Sequence, residues 1–391
     1  MAKRERFKPL VVAIARVAIR WFVMSKYRFV VTTEDFDLKE KRPYFLIANH
    51  PSELDPVYVA QYLRPYPYPV ASILLYTKPL LKFALTKLIR SIPKRKGQSD
   101  TKTIRGIIQA LKRDKRSVML FPEGNASFFG EQTDVSYQST AKLIKKLGED
   151  VVIARINGGF LAKPRWGHRA KRGHYHIHYQ RLLSSPRIDR MTVSAIEGLL
   201  AKNLAFNDYD WNRRMRYPYI GKKRAEGAEH YLYWCPKCGA IRSITTKGNE
   251  ISCKKCGPIT RVDDYGFLTD LPFDDFVSWG RMQSERIPLI ASRPCHSKGV
   301  LYRIDFDRMR RIGLGPVDVV LDSKNLLLSG DRIYSLALSR LEGAVITRKN
   351  FLSFDYEEDT FYIEIEDPKL ILDVIDYHKG ENETWKNGAS S

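Results

Sequence analysis

A histidine and an aspartate five positions apart, His50 and Asp55, stand in the run Asn49-His50-Pro51-Ser52-Glu53-Leu54-Asp55. An imidazole titrates near neutrality and can take a proton from a hydroxyl. A carboxylate on its other ring nitrogen fixes the tautomer and steadies the cation that forms. The spacing also has an architectural reading: Asp before Pro56 is a common helix start, which leaves His50 an ordinary loop residue. Farther on, Phe121-Pro122-Glu123-Gly124-Asn125-Ala126-Ser127 offers a second carboxylate beside an amide-rich turn. A third group is Cys235-Pro-Lys-Cys238-Gly239 and Cys253-Lys-Lys-Cys256-Gly257, two pairs separated by 14 residues. Four thiolates at this spacing suit one tetrahedral ion, and a structural zinc is expected. A module this short needs metal to fold.

These groups need a frame. Apolar runs at 28–33, 44–48, 117–121, 151–156 and 174–179 read as strands, and 56–63, 101–113, 139–147 and 190–204 as helices. That alternation predicts an α/β layer fold with ligands at the carboxyl ends of strands, where 49–55 and 121–127 begin. His174, His176 and His178 share one strand face, but no neighbouring carboxylate or Cys completes a metal set. Residues 206–230 read as a basic linker. Between 299 and 383 seven β-rich runs and a final helix over 368–378 predict a small pleckstrin-homology-like barrel; 380–391 read as a loose tail. The expected domains are 1–230, 231–262 and 263–391.

Charge separates the halves of the 391-residue chain. Residues 1–230 carry 44 Lys and Arg against 20 Asp and Glu, whereas 231–391 carry 22 against 24. The front half therefore seeks an anionic partner, a membrane surface or nucleic acid. Residues 9–24 and 70–92 read as basic amphipathic helices, the second kinked near Pro79, that lie at headgroup level without crossing. No apolar run approaches the roughly 20 residues that span a bilayer. A secretory-signal reading of the N-terminus is opposed by Arg16 and Arg20 inside its apolar stretch. Five cysteines are too few for a disulfide scaffold, so a reducing compartment is expected.

Taken together, NHPSELD at 49–55 and FPEGNAS at 121–127 resemble the NHxxxxD and FPEGTRS blocks of the glycerolipid acyltransferase family, which includes 1-acylglycerol-3-phosphate acyltransferases. The resemblance covers roughly residues 30–205. An intermediate block with a phosphate-contacting Arg is matched by Ile92-Pro93-Lys94-Arg95, and Val151–Arg155 loosely matches a fourth. The resemblance implies an acyltransferase-like layered domain in which His50 is the general base and Asp55 orients it. It further implies that Asn49, Arg95, Glu123, Gly124 and Asn125 line the substrate site. The donor would be acyl-CoA or acyl-carrier protein and the acceptor a lysophospholipid. The family's Thr-Arg is Asn125-Ala126 here, so either Lys94, Arg95, Lys96 or Arg155 substitutes in holding the acceptor's phosphate, or the acceptor is not a glycerol phosphate. The implied location is peripheral or monotopic, on the cytoplasmic side of an anionic membrane. No G-x-S-x-G elbow or phosphate-binding loop is present, which disfavours serine hydrolysis and nucleotide hydrolysis. The competing reading is a non-enzymatic nucleic-acid- or lipid-binding zinc-ribbon protein. The ribbon's flanks lack a basic, aromatic surface, so no nucleic-acid partner is expected.

Overall fold

Four consecutive residues with no exposed surface, Phe45, Leu46, Ile47 and Ala48, mark the centre of the first sheet. A strand apolar on both faces must be covered on both, as in parallel sheets flanked by helices. The computed structural model describes residues 9–22, 24–95, 101–132, 135–306 and 308–380. The basic start 1–8, Lys96 and the tail 381–391 lie outside them. The chain divides into two compact units, one of residues 1–164 and 170–220, the other of 165–169 and 221–391.

In the first unit the strands are β1 (Tyr27–Glu34), β2 (Phe45–Ala48), β3 (Tyr68–Ser72), β4 (Ile92–Lys94), β5 (Val118–Leu120), β6 (Val151–Asn157) and β7 (Gly173–Leu183). Their order is β1-β7-β6-β2-β5-β3-β4. Strands β6, β2, β5, β3 and β4 run parallel, β7 reverses against β6, and β1 runs with β7. Phe45 and Ile47 face a core shared with helices Gln138–Leu147 and Val193–Leu204, through Ala141, Ile144, Ile196 and Leu200. Pairing of Ile47 with Leu120 brings the carboxyl ends of β2 and β5 to one edge. The segments 49–55 and 121–127 leave from that edge.

Two expected elements come out differently. Residues 70–92 are not one kinked helix: they comprise β3, a 3-10 turn Ile73–Thr77, a short helix Pro79–Phe83, a wide turn Ala84–Leu88 and β4. Prolines at 67, 69 and 79 break the helical register and favour extended backbone before them. Residues 206–230 are not all linker, because Asn207 accepts the amides of Tyr209 and Asp210 and starts a helix, Asp208–Met215. The N-terminal helix Pro9–Phe22 forms, but Arg16 does not face outward. Its guanidinium donates to the carbonyls of Ala60 (3.1 Å), Gln61 and Leu63 (3.3 Å), closing the carboxyl end of the helix Asp55–Tyr62. No helix of the described residues is long and apolar enough to cross a membrane.

The second unit holds a three-stranded ribbon of β8 (Ile244–Lys247), β9 (Glu250–Cys253) and β10 (Gly257–Arg261). It also holds an antiparallel sheet of seven strands: β11 (Cys295–Asp305), β12 (Arg310–Leu321), β13 (Asn325–Ser329), β14 (Ile333–Ala337), β15 (Leu341–Thr347), β16 (Phe351–Tyr356) and β17 (Asp359–Ile365). Two meanders, β11 to β14 and β15 to β17, join where β11 pairs with β17. The helix Pro368–Lys379 buries Leu370, Ile371, Val374 and Ile375. A layered α/β domain, a four-cysteine ribbon and a small all-β sheet with a closing helix are thus present in the order expected.

Candidate active site and metal centre

Where β2 ends, Asn49 is fully buried and both ends of its amide reach β6. Its Nδ2 donates to the Ile156 carbonyl (2.8 Å), and its Oδ1 accepts the Ile156 amide (2.7 Å). These bonds pin the point at which His50 leaves the sheet. Asn49 therefore meets the neighbouring strand rather than the outside.

His50 Nδ1 lies 3.0 Å from Asp55 Oδ2. That oxygen also accepts the Ser52 amide (2.8 Å), and Asp55 Oδ1 accepts the Tyr175 hydroxyl. Asp55 is not the helix cap. Leu54 occupies that position without a side-chain bond, and the Asp55 carboxylate turns back toward His50. Burial pushes the Asp55 carboxyl up, while His50, Tyr175 and Ser52 pull it back down. With Nδ1–H given to the carboxylate, a neutral imidazole keeps its lone pair on Nε2. The Asp55 side chain has no exposed surface and that of His50 has 13%, so of the two side chains the imidazole is the one that can meet a substrate. The Phe121 ring flanks the imidazole at 4.6 Å.

The second block is bonded to His50 itself. Glu123 Oε1 accepts the His50 amide (2.8 Å), and the Ser127 amide donates to the His50 carbonyl (2.8 Å). Gly124 turns the chain at a φ of +67°, exposed, with no atom within 4 Å of where a Cβ would stand. A side chain would fit there only in the left-handed region that glycine tolerates best. Asn125 is half-buried beside it. Ser127 Oγ accepts the Gly130 amide (2.9 Å) and donates to the Glu131 carbonyl (2.6 Å), which holds the loop internally.

Arg95 follows β4. Because β2, β5, β3 and β4 are parallel neighbours, Arg95 stands at the same sheet edge as His50, three strand spacings or about 14 Å away. Arg155, on β6, donates from Nε to the Asn203 carbonyl (3.1 Å).

Two site residues carry no signal in the short motifs. Tyr175 reaches Asp55 from β7, and Asp208 holds the turn beside it by accepting the amides of Gly158 (2.9 Å) and Phe160 (2.8 Å). A Cβ on Gly159 would come within 2.9 Å of Pro51 Cγ and 3.1 Å of the Tyr175 hydroxyl, so this turn lies directly against the dyad's support. Burial pushes the Asp208 carboxyl up to about 7 against the pull of those amides. The β7 pattern could have pointed to Tyr175, since alternation turns Tyr175, Ile177 and Tyr179 inward. The three histidines occupy the other face. His174 stacks on Tyr217 (3.7 Å), His176 meets Trp211 edge-on (5.0 Å), and His178 bonds Thr32 Oγ1 (2.8 Å) with Glu34 3.4 Å away.

The family model described as Acyltransferase matches residues 29–154, which include both blocks. Residues 29–154 form an acyltransferase-family domain. Over 130 residues the chain is 27% identical to the 1-acyl-sn-glycerol-3-phosphate acyltransferase of Saccharomyces cerevisiae. That match takes in 32% of this chain and 43% of the yeast protein, so the chain spans less than half of its relative's length. Among solved structures, the 1-acyl-sn-glycerophosphate (LPA) acyltransferase PlsC from Thermotoga maritima aligns with a TM-score of 0.40 and 16% identity. The alignment covers 50% of this chain and 77% of PlsC. The acyltransferase domain thus has its dyad inside the matched span, whereas Tyr175 and Asp208 lie beyond it.

In the second unit Cys235, Cys238, Cys253 and Cys256 bring their four sulfurs within 4.8 Å of one another. The Cys235–Cys256 and Cys238–Cys253 separations are both 3.7 Å. Tetrahedral zinc with Zn–S bonds of about 2.3 Å requires sulfurs about 3.8 Å apart, so the donor set fits. Gly239 and Gly257 take φ of +70° and +82° after each pair. The Lys255 amide points at Cys253 Sγ (3.3 Å), a donor suited to a thiolate. Among the described residues this is the one metal-competent cluster.

Proposed function

We propose that the acyltransferase domain moves a fatty acyl group from a thioester donor, acyl-CoA or acyl-carrier protein, to the free hydroxyl of a lysophospholipid. The acceptor named in the yeast relative, 1-acylglycerol-3-phosphate, is the first to test. The observation that carries this reading is the 3.0 Å His50–Asp55 contact, in which the carboxylate takes Nδ1 and leaves Nε2 to act as the base. His50 Nε2 takes the acceptor's hydroxyl proton as its oxygen attacks the thioester carbonyl, and Asp55 offsets the imidazolium charge. Collapse of the tetrahedral adduct breaks the carbon–sulfur bond, and the departing thiolate receives the proton from His50. No acyl-enzyme forms.

Glu123 and Gly124 shape the acceptor wall with Asn125, and Asn49 acts by fixing where His50 emerges. Arg95 supplies positive charge for an acceptor phosphate in a chain that has Asn125-Ala126 where the family has Thr-Arg. The four cysteines hold zinc, which cross-links two knuckles and adds no chemistry to the transfer. The protein works from the cytoplasmic side of an anionic membrane as a peripheral or monotopic enzyme.

The test is incubation of the purified full chain with mixed acyl donors and lyso-acceptors, read by lipid mass spectrometry. Formation of an acylated acceptor by the native chain and its loss in His50→Ala are expected. No product from any thioester donor would refute the reading.

A further inference from the structure

The excursion between β3 and β4 leaves a run of apolar side chains exposed. No residue from 77 to 90 is buried, and 79–83 are five consecutive exposed residues. Leu80 is 81% exposed, Phe83 56%, Leu75 44% and Leu81 39%. Exposed apolar residues scattered singly need no explanation, but a run on one projection does. The projection is not loose. Tyr66 donates its hydroxyl to the carbonyls of Leu88 (3.0 Å) and Ile89 (2.9 Å), and Tyr76 donates to the Ser91 carbonyl (3.2 Å). The first bonds tie the returning flank to Tyr66 ahead of β3, and the last ties the two flanks to each other, so the excursion is closed at its base.

We infer that residues 73–90 are the element that seats the acyltransferase domain on an anionic phospholipid surface. Leu80, Leu81 and Phe83 enter the acyl layer, and Lys78 and Lys82 lie at headgroup level. The inference rests on the proposed function for its biological sense, but not for its observations. Charge complementarity selects the occupant: two lysines flank or interrupt the exposed apolar tip, in a region with 44 basic and 20 acidic residues. A run of exposed apolar side chains between lysines suits a fluid apolar layer, which receives side chains of any outline, better than it suits a fitted protein groove. The N-terminal helix repeats the chemistry, with Ile14, Val17 and Trp21 exposed on one face. Position gives the contact its use. β3 ends at the sheet edge that carries His50 and Glu123, so a bilayer under 73–83 lies beside the edge where a lipid acceptor must arrive.

The experiment is flotation of the full chain, without donor or acceptor, on vesicles of phosphatidylcholine alone and of phosphatidylcholine with phosphatidylglycerol. The native chain should float with the anionic vesicles and be released by high salt. Leu80→Glu/Phe83→Glu should partition about tenfold less or weaker still, with an unchanged melting profile. Lys78→Glu/Lys82→Glu should lose the preference for anionic vesicles. Trp21→Glu should cost less than the double apolar variant. Acyl transfer to a vesicle-embedded acceptor should fall in the apolar variant, whereas transfer to a soluble short-chain acceptor persists. Native-level flotation of the 80/83 variant would overturn the inference. So would a native chain that ignores vesicles and instead binds acyl-carrier protein or a second copy through this tip. A chain that floats as described yet transfers no acyl group would sink the proposed function and leave the docking surface standing.

Discussion

The His50 site and the cysteine site are assembled at opposite ranges of the chain. The dyad's supports come from β2, the turn after β5, and β7, and sheet register sets their geometry. The four sulfurs come from 22 residues, and two glycine-closed knuckles set theirs. A site made locally can be recognised from its own spacing. A site made by register shows in sequence only the members that happen to share a segment.

The largest effect should come from His50→Ala, which removes the proposed base. Transfer should fall by about 10³-fold, within the usual range for a lost general base, with little change in melting temperature. A rate within tenfold of native would dissolve the contrast between the two sites, because the dyad would be only a fastening. Next, metal analysis should return about one zinc per native chain, and Cys238→Ser should lose it. Hydrogen exchange across 235–256 should then become unprotected, since metal binding and ribbon folding are one event. A protected, metal-free ribbon would break the local half of the comparison.

Tyr175→Phe sharpens the long-range half. Asp55 is pushed up by burial and pulled down in part by the Tyr175 hydroxyl. Deleting that donor raises the carboxyl further, so the acid limb of the pH–rate profile should move to higher pH, with kcat about tenfold lower at neutrality. An unshifted limb would make Tyr175 mere packing. The smallest effect belongs to Arg16→Ala. Loss of a cation closing the Asp55–Tyr62 helix should cost about 1 kcal/mol in denaturant unfolding.

Legibility followed the same divide. NHPSELD and FPEGNAS identified the dyad and its neighbour, and the apolar runs located β2, β5 and β6, because buried parallel strands are continuous in sequence. Tyr175 was hidden between two histidines whose chemistry drew attention to the wrong face of β7. β3 and β4 escaped because Pro67 and Pro69 disguise one and the other has only three residues. Arg16 looked like a headgroup contact because helical periodicity shows which face a residue occupies, not which carbonyls another segment brings to it. The cysteines needed no such context.

The reversal of β7 has a practical consequence for anyone transplanting this domain. A fragment ending at 154 would carry both the NHPSELD and FPEGNAS blocks, yet expose the flank of β6 where β7 pairs and strip the phenol from the buried acid. Its motif letters would survive intact while their proton chemistry drifted. The minimal portable unit is therefore set by where the chain doubles back, not by where the recognisable text stops.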